Sequence, residues 1–461
     1  GYGYAPADLK YRWHWNFPVV LSKHTKGKGW AGSQYVHETT NAGQSWKVIS
    51  LDLTRNDKTH QQSSGGMAGD NLMTFDGSTL FTMAESPVQE GVLWTGSNDG
   101  LLHVTRDGGR SWFKASDFMP DLPKWGTVRS IEPSNFDAST CYVSVDAHQD
   151  GDFSAYVYKT TDMGKTWKRL AVNIPSSNSN FVHQIKEDPE KQGLLWIGTD
   201  NGLYFSPDDG ANWIRFRHGL PPAPVFGIAI QKQFNDLVIG TYGRGIYILD
   251  DITPIREFTN EVQNSNEFLF TPGTAYRFQK VDGIKYKSSH SDGNNPPYGV
   301  SINYFLKEAA KDISVSILDA KGTLVKSLEA KGEAGINRIV WDLRHQEYDF
   351  PPLRTKPKDK EWVTLDKEGK RPMFIYDLDI GPGMSPTLVP PGQYTAVLRV
   401  NGKELRKNIQ VLKDPNTKST LSDIQQQYEF GMKIYTSVSK CLALIDEMEQ
   451  SRAKLLNNTK D

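Results

Sequence analysis

Four times along this chain a hydroxyl residue, an acid or its amide, a glycine and a tryptophan recur at fixed offsets: TTNAGQSW ending at Trp46, TRDGGRSW at Trp112, TTDMGKTW at Trp167 and SPDDGANW at Trp213. A single active site is not built in quadruplicate, so the motif is read as architecture. Successive tryptophans lie 66, 55 and 46 residues apart. That range suits a four-stranded sheet plus loops of variable length, repeated radially as the blades of a propeller. Around the last copy the order is FVHQIKE, LLWIGT, the turn DNG, LYFS, the motif and WIRFRH, four strands punctuated by Gly and Asp turns. Residues 92–115 repeat that order, and VFGIAIQ with DLVIGTYGRGIYILDD forms a degenerate unit without the motif. About five blades fit between residues 12 and 258.

The motif has a physical explanation that needs no substrate. A short polar side chain in a tight turn hydrogen-bonds backbone N–H groups and so mimics a backbone turn; Asn41, Asp107, Asp162 and Asp208 hold that position. Gly43, Gly109, Gly164 and Gly210 supply a residue free to adopt positive φ. Trp46, Trp112, Trp167 and Trp213 bury large apolar surfaces beside a neighbouring strand or blade. The spacing S/T-x-D/N-x-G-x-x-W resembles the Asp-box, or BNR, repeat, and these twelve residues are its structural positions.

At 461 residues the chain exceeds what one hydrophobic core normally serves. With 53 basic and 54 acidic side chains the net charge is −1, and no long basic block provides the footprint of a nucleic-acid binder. No apolar run reaches the length of a transmembrane helix. The two cysteines, Cys141 and Cys441, form neither a disulfide framework nor a metal-ligand spacing. The opening GYGYAPADLK has no initiator Met and no basic-then-apolar leader, so the expectation is that a targeting signal has been removed or lies upstream.

Beyond residue 258 the character changes. Alternating β-type runs (SINYFL, DISVSILDA, NRIVWDLR, GQYTAVLRVNGKELRKNIQVL) suggest an antiparallel sandwich of immunoglobulin type. Two loops interrupt it, at 288–299 and 349–383, and are read as contact surfaces. From 421 to 456 apolar residues recur at steps of three, four or seven, opened by Ser422 and Asp423 as caps, which predicts a long amphipathic helix. Its apolar stripe needs a partner, either another helix or the sandwich surface. The expected fold is therefore mainly β: propeller blades over 1–260, an immunoglobulin-like sandwich over 261–415 and a C-terminal helix over 416–461.

The segments GSNDGLLHVTRDGGRSW, GTYGRGIYILDD, NPPYG, NRIVWDLRH and PPGQYTAVLRVNGK together resemble a large bacterial family, common in Bacteroidota, of BNR-repeat, sortilin-type or glycosyl-hydrolase-like propeller proteins. In that family further blades precede a segment like YRWHWNFPVVLS, so the resemblance implies the C-terminal portion of a longer protein. An open arc of blades exposes strand edges and apolar faces. The missing blades are expected from an N-terminal portion of the same parent or from a protein partner, the alternative being a small ring of five blades closed on itself. The resemblance also implies a secreted, periplasmic or outer-surface location in a bacterium.

Two function classes follow. One is a non-enzymatic binding or scaffold protein whose propeller and sandwich surfaces hold a protein, peptide or glycan; the sortilin-like resemblance implies ligand capture by the propeller. The other is a glycoside hydrolase similar to two-propeller xyloglucan-degrading enzymes, whose chemistry needs two carboxylates across the sugar, roughly 6.5–9.5 Å apart for inversion. In those enzymes one acid follows a G-T-D-x-G segment. Gly198-Thr199-Asp200-Asn201-Gly202 and Gly96-Ser97-Asn98-Asp99-Gly100 match it loosely, which nominates Asp200 and Asp99. Their competing role is that of hairpin-turn residues. A sialidase is disfavoured because the Arg-Ile-Pro segment of that family is absent, leaving Arg129 unassigned. Trp15, beside His14 in a Trp-His-Trp run, is a candidate sugar platform or an interblade packing residue, and Tyr242 and Arg244 of TYGRG are candidates to face the channel. Asp250 and Asp251 make a weak calcium pair; no metal site and no cofactor are expected.

Overall fold

A computed structural model describes residues 4–62, 77–171, 173–175, 179–278, 295–374 and 385–458. The chain divides into two compact units, Gly1–Ile252 and Thr253–Asp461.

The first unit is a succession of β-propeller blades, each an antiparallel sheet in chain order. Blade 1 comprises β1 (Val19–Leu21), β2 (Gly29–Gly32), β3 (Val36–Thr39) and β4 (Lys47–Val48). Blade 2 comprises β5 (Leu80–Glu85), β6 (Leu93–Ser97), β7 (Leu102–Thr105) and β8 (Phe113–Lys114). Blade 3 follows with β9 (Thr127–Pro133), β10 (Cys141–Ala147), β11 (Asp152–Thr160) and β12 (Lys168–Arg169). Blade 4 has β13 (Val182–Glu187), β14 (Leu195–Thr199), β15 (Gly202–Ser206) and β16 (Ile214–Phe216). Blade 5 has three strands among the described residues: β17 (Val225–Gln231), β18 (Asp236–Thr241) and β19 (Ile246–Leu249).

The tryptophan turn joins the third and fourth strands of blades 1 to 4, and its hydrogen bonds repeat copy by copy. The hydroxyls of Thr39, Thr105, Thr160 and Ser206 donate to Asn41, Asp107, Asp162 and Asp208 at 2.8–3.0 Å. The same hydroxyls accept the amides of Gly43, Gly109, Gly164 and Gly210 at 2.8–2.9 Å. Each acid or amide then accepts the N–H four residues on, from Ser45, Ser111, Thr166 or Asn212. All four glycines have φ between 82° and 94°, where a Cβ is strained.

Blades are joined by close apolar contacts at two radii. Near the inside, a Cβ on Gly32 would press on Leu80, one on Gly96 on Val128 and one on Gly198 on Val225, so the small residue in each second strand seats the first strand of the next blade. Near the rim, Gly109 rests on Ile49, Gly164 on Ala115 and Gly210 on Leu170, residues that follow the outer strand of the preceding blade, and Gly164 also rests on Trp94 of that blade's second strand. Trp94 is fully buried in such a joint, edge-on to Trp167 of the next blade; truncating such a side chain costs roughly 3–5 kcal/mol.

The second unit opens with α1 (Thr253–Glu257) and α2 (Asn260–Asn264), then forms a two-sheet sandwich. Its strands are β20 (Glu267–Leu269), β21 (Ala275–Arg277), β22 (Val300–Leu306), β23 (Ile313–Leu318), β24 (Leu324–Leu328), β25 (Gly335–Trp341), β26 (Gly392–Val400) and β27 (Lys403–Lys413). One sheet runs β20-β22-β25 and the other β21-β27-β26-β23-β24, with β21 parallel to β27. Trp341, Tyr304, Leu398 and Ile409 fill the space between them. The helix α3 (Leu421–Asn458) is capped by Thr420: its hydroxyl accepts the Asp423 N–H while the Asp423 carboxylate accepts the Thr420 N–H. Its partner is the long connection before β26, through His345–Tyr428 and Tyr348–Tyr435 ring contacts, an Arg354–Asp446 ion pair and Thr355 bonded to buried Glu449. Of the two loops expected from sequence, 288–294 and 375–383 lie outside the described residues.

Candidate functional site

One irregularity recurs in the inner strands. In blades 2 to 5 the register to the second strand skips a residue: Phe81 between Leu80 and Thr82, Arg129 between Val128 and Ser130, His183 between Val182 and Gln184, and Phe226 between Val225 and Gly227. Such a β-bulge leaves the extra residue unpaired and re-aims its side chain. The aliphatic residue before it is anchored on the neighbouring blade, so each skipped residue is held at a fixed height.

These side chains meet one another. The Arg129 guanidinium lies 5.0 Å from the Phe81 ring centre and 5.3 Å from that of Phe226. His14 stands edge-on to Phe81 at 4.9 Å, His183 stacks on Phe226 at 3.9 Å, and exposed Tyr242 lies 5.5 Å from Phe226. The result is a collar of aromatic faces around one cation. Phe181 extends it, edge-on to His183 and stacked on His148.

Arg129 is half-buried, and its guanidinium has no hydrogen-bonded or ion-paired partner among the described residues. Burial pulls its pKa down, while Asp146 and Asp200 act in the opposite sense; an arginine in this setting remains charged. Asp200 Oδ1 lies 3.1 Å from His183 Nε2, and Asp146 Oδ1 lies 2.7 Å from His148 Nδ1 while accepting the His148 N–H. Burial lowers the His183 pKa, Asp200 raises it and Arg129 lowers it further. Facing a carboxylate, Nε2 is the donor to Asp200, and Nδ1 is buried with no hydrogen-bond partner among the described residues. Unused guanidinium donors between two apolar rings can hold a carbonyl, hydroxyl or anionic group while the rings cover a flat ligand face.

Of the residues nominated from sequence, Asp200 belongs to this cluster and Tyr242 borders it. Asp99 is buried in a turn, where it accepts the Ser97 hydroxyl and the Arg55 N–H. Trp15 and Arg244 are exposed, and His14 is buried against Phe81. Asp251 is bonded through its N–H to Asp236, and no group of three or more His, Cys, Asp or Glu among the described residues is arranged to hold a metal. Cys141 is buried and Cys441 exposed, both as free thiols. A cleft of about 930 Å³ beside blades 1 and 2 is bordered by Asp107, Gly109, Arg110 and Trp112. The Asp107 carboxylate there is committed to its own turn: hydrogen bonds from Ser111 and Thr105 hold its pKa down to about 2. Arg129, His183, Phe81 and Phe226 were not among the nominated residues. The signal for them was a dipeptide within the first three residues of each inner strand, an aliphatic residue followed by an aromatic or basic one: Leu-Phe, Val-Arg, Val-His, Val-Phe.

No family model matches the chain. A 111-residue stretch, 24% of this chain and 7% of the relative, is 32% identical to vacuolar protein sorting/targeting protein 10 of Laccaria bicolor. A 240-residue stretch, 47% of this chain and 27% of the relative, is 24% identical to a xyloglucanase of Hypocrea jecorina. Among solved structures, an ancestral GH74 enzyme aligns with a TM-score of 0.41 and 15% identity over 74% of this chain and 40% of its own. The chain thus spans less than a third of either curated relative it matches, and the solved structures it resembles are β-propellers.

Proposed function

We propose that this chain is part of an Asp-box propeller protein of the bacterial cell surface or periplasm that binds a peptide, protein or glycan partner without transforming it. The carrying observation is the Arg129 guanidinium, which lies over the Phe81 and Phe226 rings and has no hydrogen-bonded or ion-paired partner among the described residues. A charged group held half-buried with free donors is a binding element. The committed state of Asp99 also supports binding over hydrolysis, because its carboxylate is bonded within its turn. On this reading the blades of the first unit belong to a larger ring that further blades complete, as the partial coverage of both curated relatives supports.

Glycoside hydrolysis is the second reading. It is favoured by the match to a xyloglucanase and by the two carboxylates, Asp146 and Asp200, that act on Arg129. One experiment separates the readings. Polysaccharide and peptide arrays are probed with the native chain and with Arg129→Ala, and reducing-end release is followed on every glycan bound. Binding weakened about tenfold or more by Arg129→Ala, with no release, is the expected result, matching loss of roughly one charge-assisted hydrogen bond. Release abolished by Asp200→Ala would establish the hydrolase instead.

A further inference from the structure

Every blade presents one face to the next, and the register identifies its centre. Gly32 pairs with Val36, Gly96 with Leu102, Ser144 with Val157 and Gly198 with Leu203. Those four aliphatic residues are each 0% exposed, and Val36, Leu102 and Val157 share a core cluster with residues of the following blade. On blade 5 the same register pairs Gly240 with Ile246 and Val238 with Ile248. Here Ile246 is 74% and Ile248 60% exposed. Around Gly240 a Cβ would meet only the backbone of Gly227 in its own sheet, whereas Gly32, Gly96 and Gly198 each receive an aliphatic side chain from the next blade. Blade 5 therefore carries one half of a joint that this chain completes four times elsewhere.

We propose that the outward face of blade 5 is the docking surface for a further blade of the same repeat, contributed by polypeptide outside these 461 residues. The proposal rests on the reading that the ring is completed by additional blades, and it names where they attach. The fitting surface is an inner strand that opens on a Leu or Val, to seat on Gly240, with apolar residues alternating behind it to cover Ile246 and Ile248.

Blade 1 is not that occupant, in the same chain or in a second copy. Its corresponding face is centred on Ala31 and His37, which pair with each other, and Tyr11 and Trp13 already cover it with rings 4.9 and 5.0 Å from His37. The rim contact fails too. Gly109, Gly164 and Gly210 rest on residues trailing the outer strand of the preceding blade, while Gly43 meets only its own Trp46. Trp46 is 47% exposed where its counterpart Trp213 is 6% exposed. Blade 5 has no outer strand among the described residues, so it lacks the element that fills this seat elsewhere.

The test places a photo-activatable residue at position 246 of the full-length protein in the organism that makes it, and identifies cross-linked peptides by mass spectrometry. The expected products are peptides from outside this chain, belonging to a segment with the S/T-x-D/N-x-G-x-x-W repeat. Adding Ile248→Glu, a position 60% exposed in this chain, is expected to lower their yield at least about tenfold while circular dichroism of the isolated 461-residue chain stays unchanged, as loss of roughly one desolvated apolar anchor should. Cross-links to residues 11–49, to a second copy, to a sequence without the repeat, or none at all, would overturn the proposal. The Arg129→Ala binding assay is read separately, so failure of the joint and failure of the binding site give different results.

Discussion

At the scale of single residues, the tryptophan turn shows why a pattern of types was readable. Each position is fixed by a local need: a hydroxyl that both donates and accepts, a carboxylate or amide that accepts, and a glycine at positive φ. Gly109 adds a second need, because a Cβ there would lie 2.7 Å from Ile49 Cδ1. Gly109→Ala is therefore expected to destabilise the chain by roughly 1–3 kcal/mol in urea titrations, with Gly43→Ala, which meets only Trp46, at the low end. His103 gives a pH signature. Burial, and then Lys114, lower its pKa to about 4. Above the unfolded value near 6.5 the imidazole is neutral in both states and stability is at its full level. As pH falls from about 6.5 towards 4 the unfolded chain takes up the proton first, so stability drops, by up to roughly 3 kcal/mol. A urea midpoint that does not fall between pH 7 and 4.5, or falls equally in His103→Gln, would contradict this. Asp200 could be nominated from its turn sequence, yet its partners could not. The residue skipped by a bulge obeys no alternation, so Arg129, His183 and Phe226 carried no periodic mark.

At the scale of elements, repeat-equivalent residues acquire different energetic roles from their neighbours. Trp213 is buried on the preceding blade, whereas Trp46 stands open. Trp213→Ala is expected to cost roughly 3–5 kcal/mol and Trp46→Ala less than about 1 kcal/mol in this chain. Equal losses in chemical denaturation would mean that Trp46 is covered after all. The strand order of the blades was legible because turn glycines and hydrophobic runs alternate so regularly. The helix α3 was legible from its stripe and its Asp423, though the cap proved to be Thr420 in a reciprocal pair. Its partner was not legible: the segment around Arg354 and Thr355 is largely irregular, and an irregular strap announces no period.

At the scale of the whole chain, the two units are cored differently: separate apolar clusters sit between successive blades in the first, and a large cluster is enclosed by the sandwich sheets in the second. Trp341 is fully buried in the second. Trp341→Ala should remove roughly 3–5 kcal/mol there, and hydrogen exchange should show protection falling first in the strands of Thr253–Asp461. Protection lost first in the blades would show that the assignment of cores is wrong. Fold class was legible at this scale because repetition is a global property of a sequence. The open side of blade 5 was not, since a hydrophobic strand reads the same whether or not anything covers it.

The bulges have one more consequence. Phe81, Arg129, His183 and Phe226 stand outside the pairing that holds their sheets together, while the aliphatic residues beside them carry the lock to the preceding blade. Their identities can therefore be exchanged, singly or in combination, with little disturbance to the wheel that mounts them. A surface mounted this way can be relined for a new guest by substitution at these four positions, in the way a socket takes different bits.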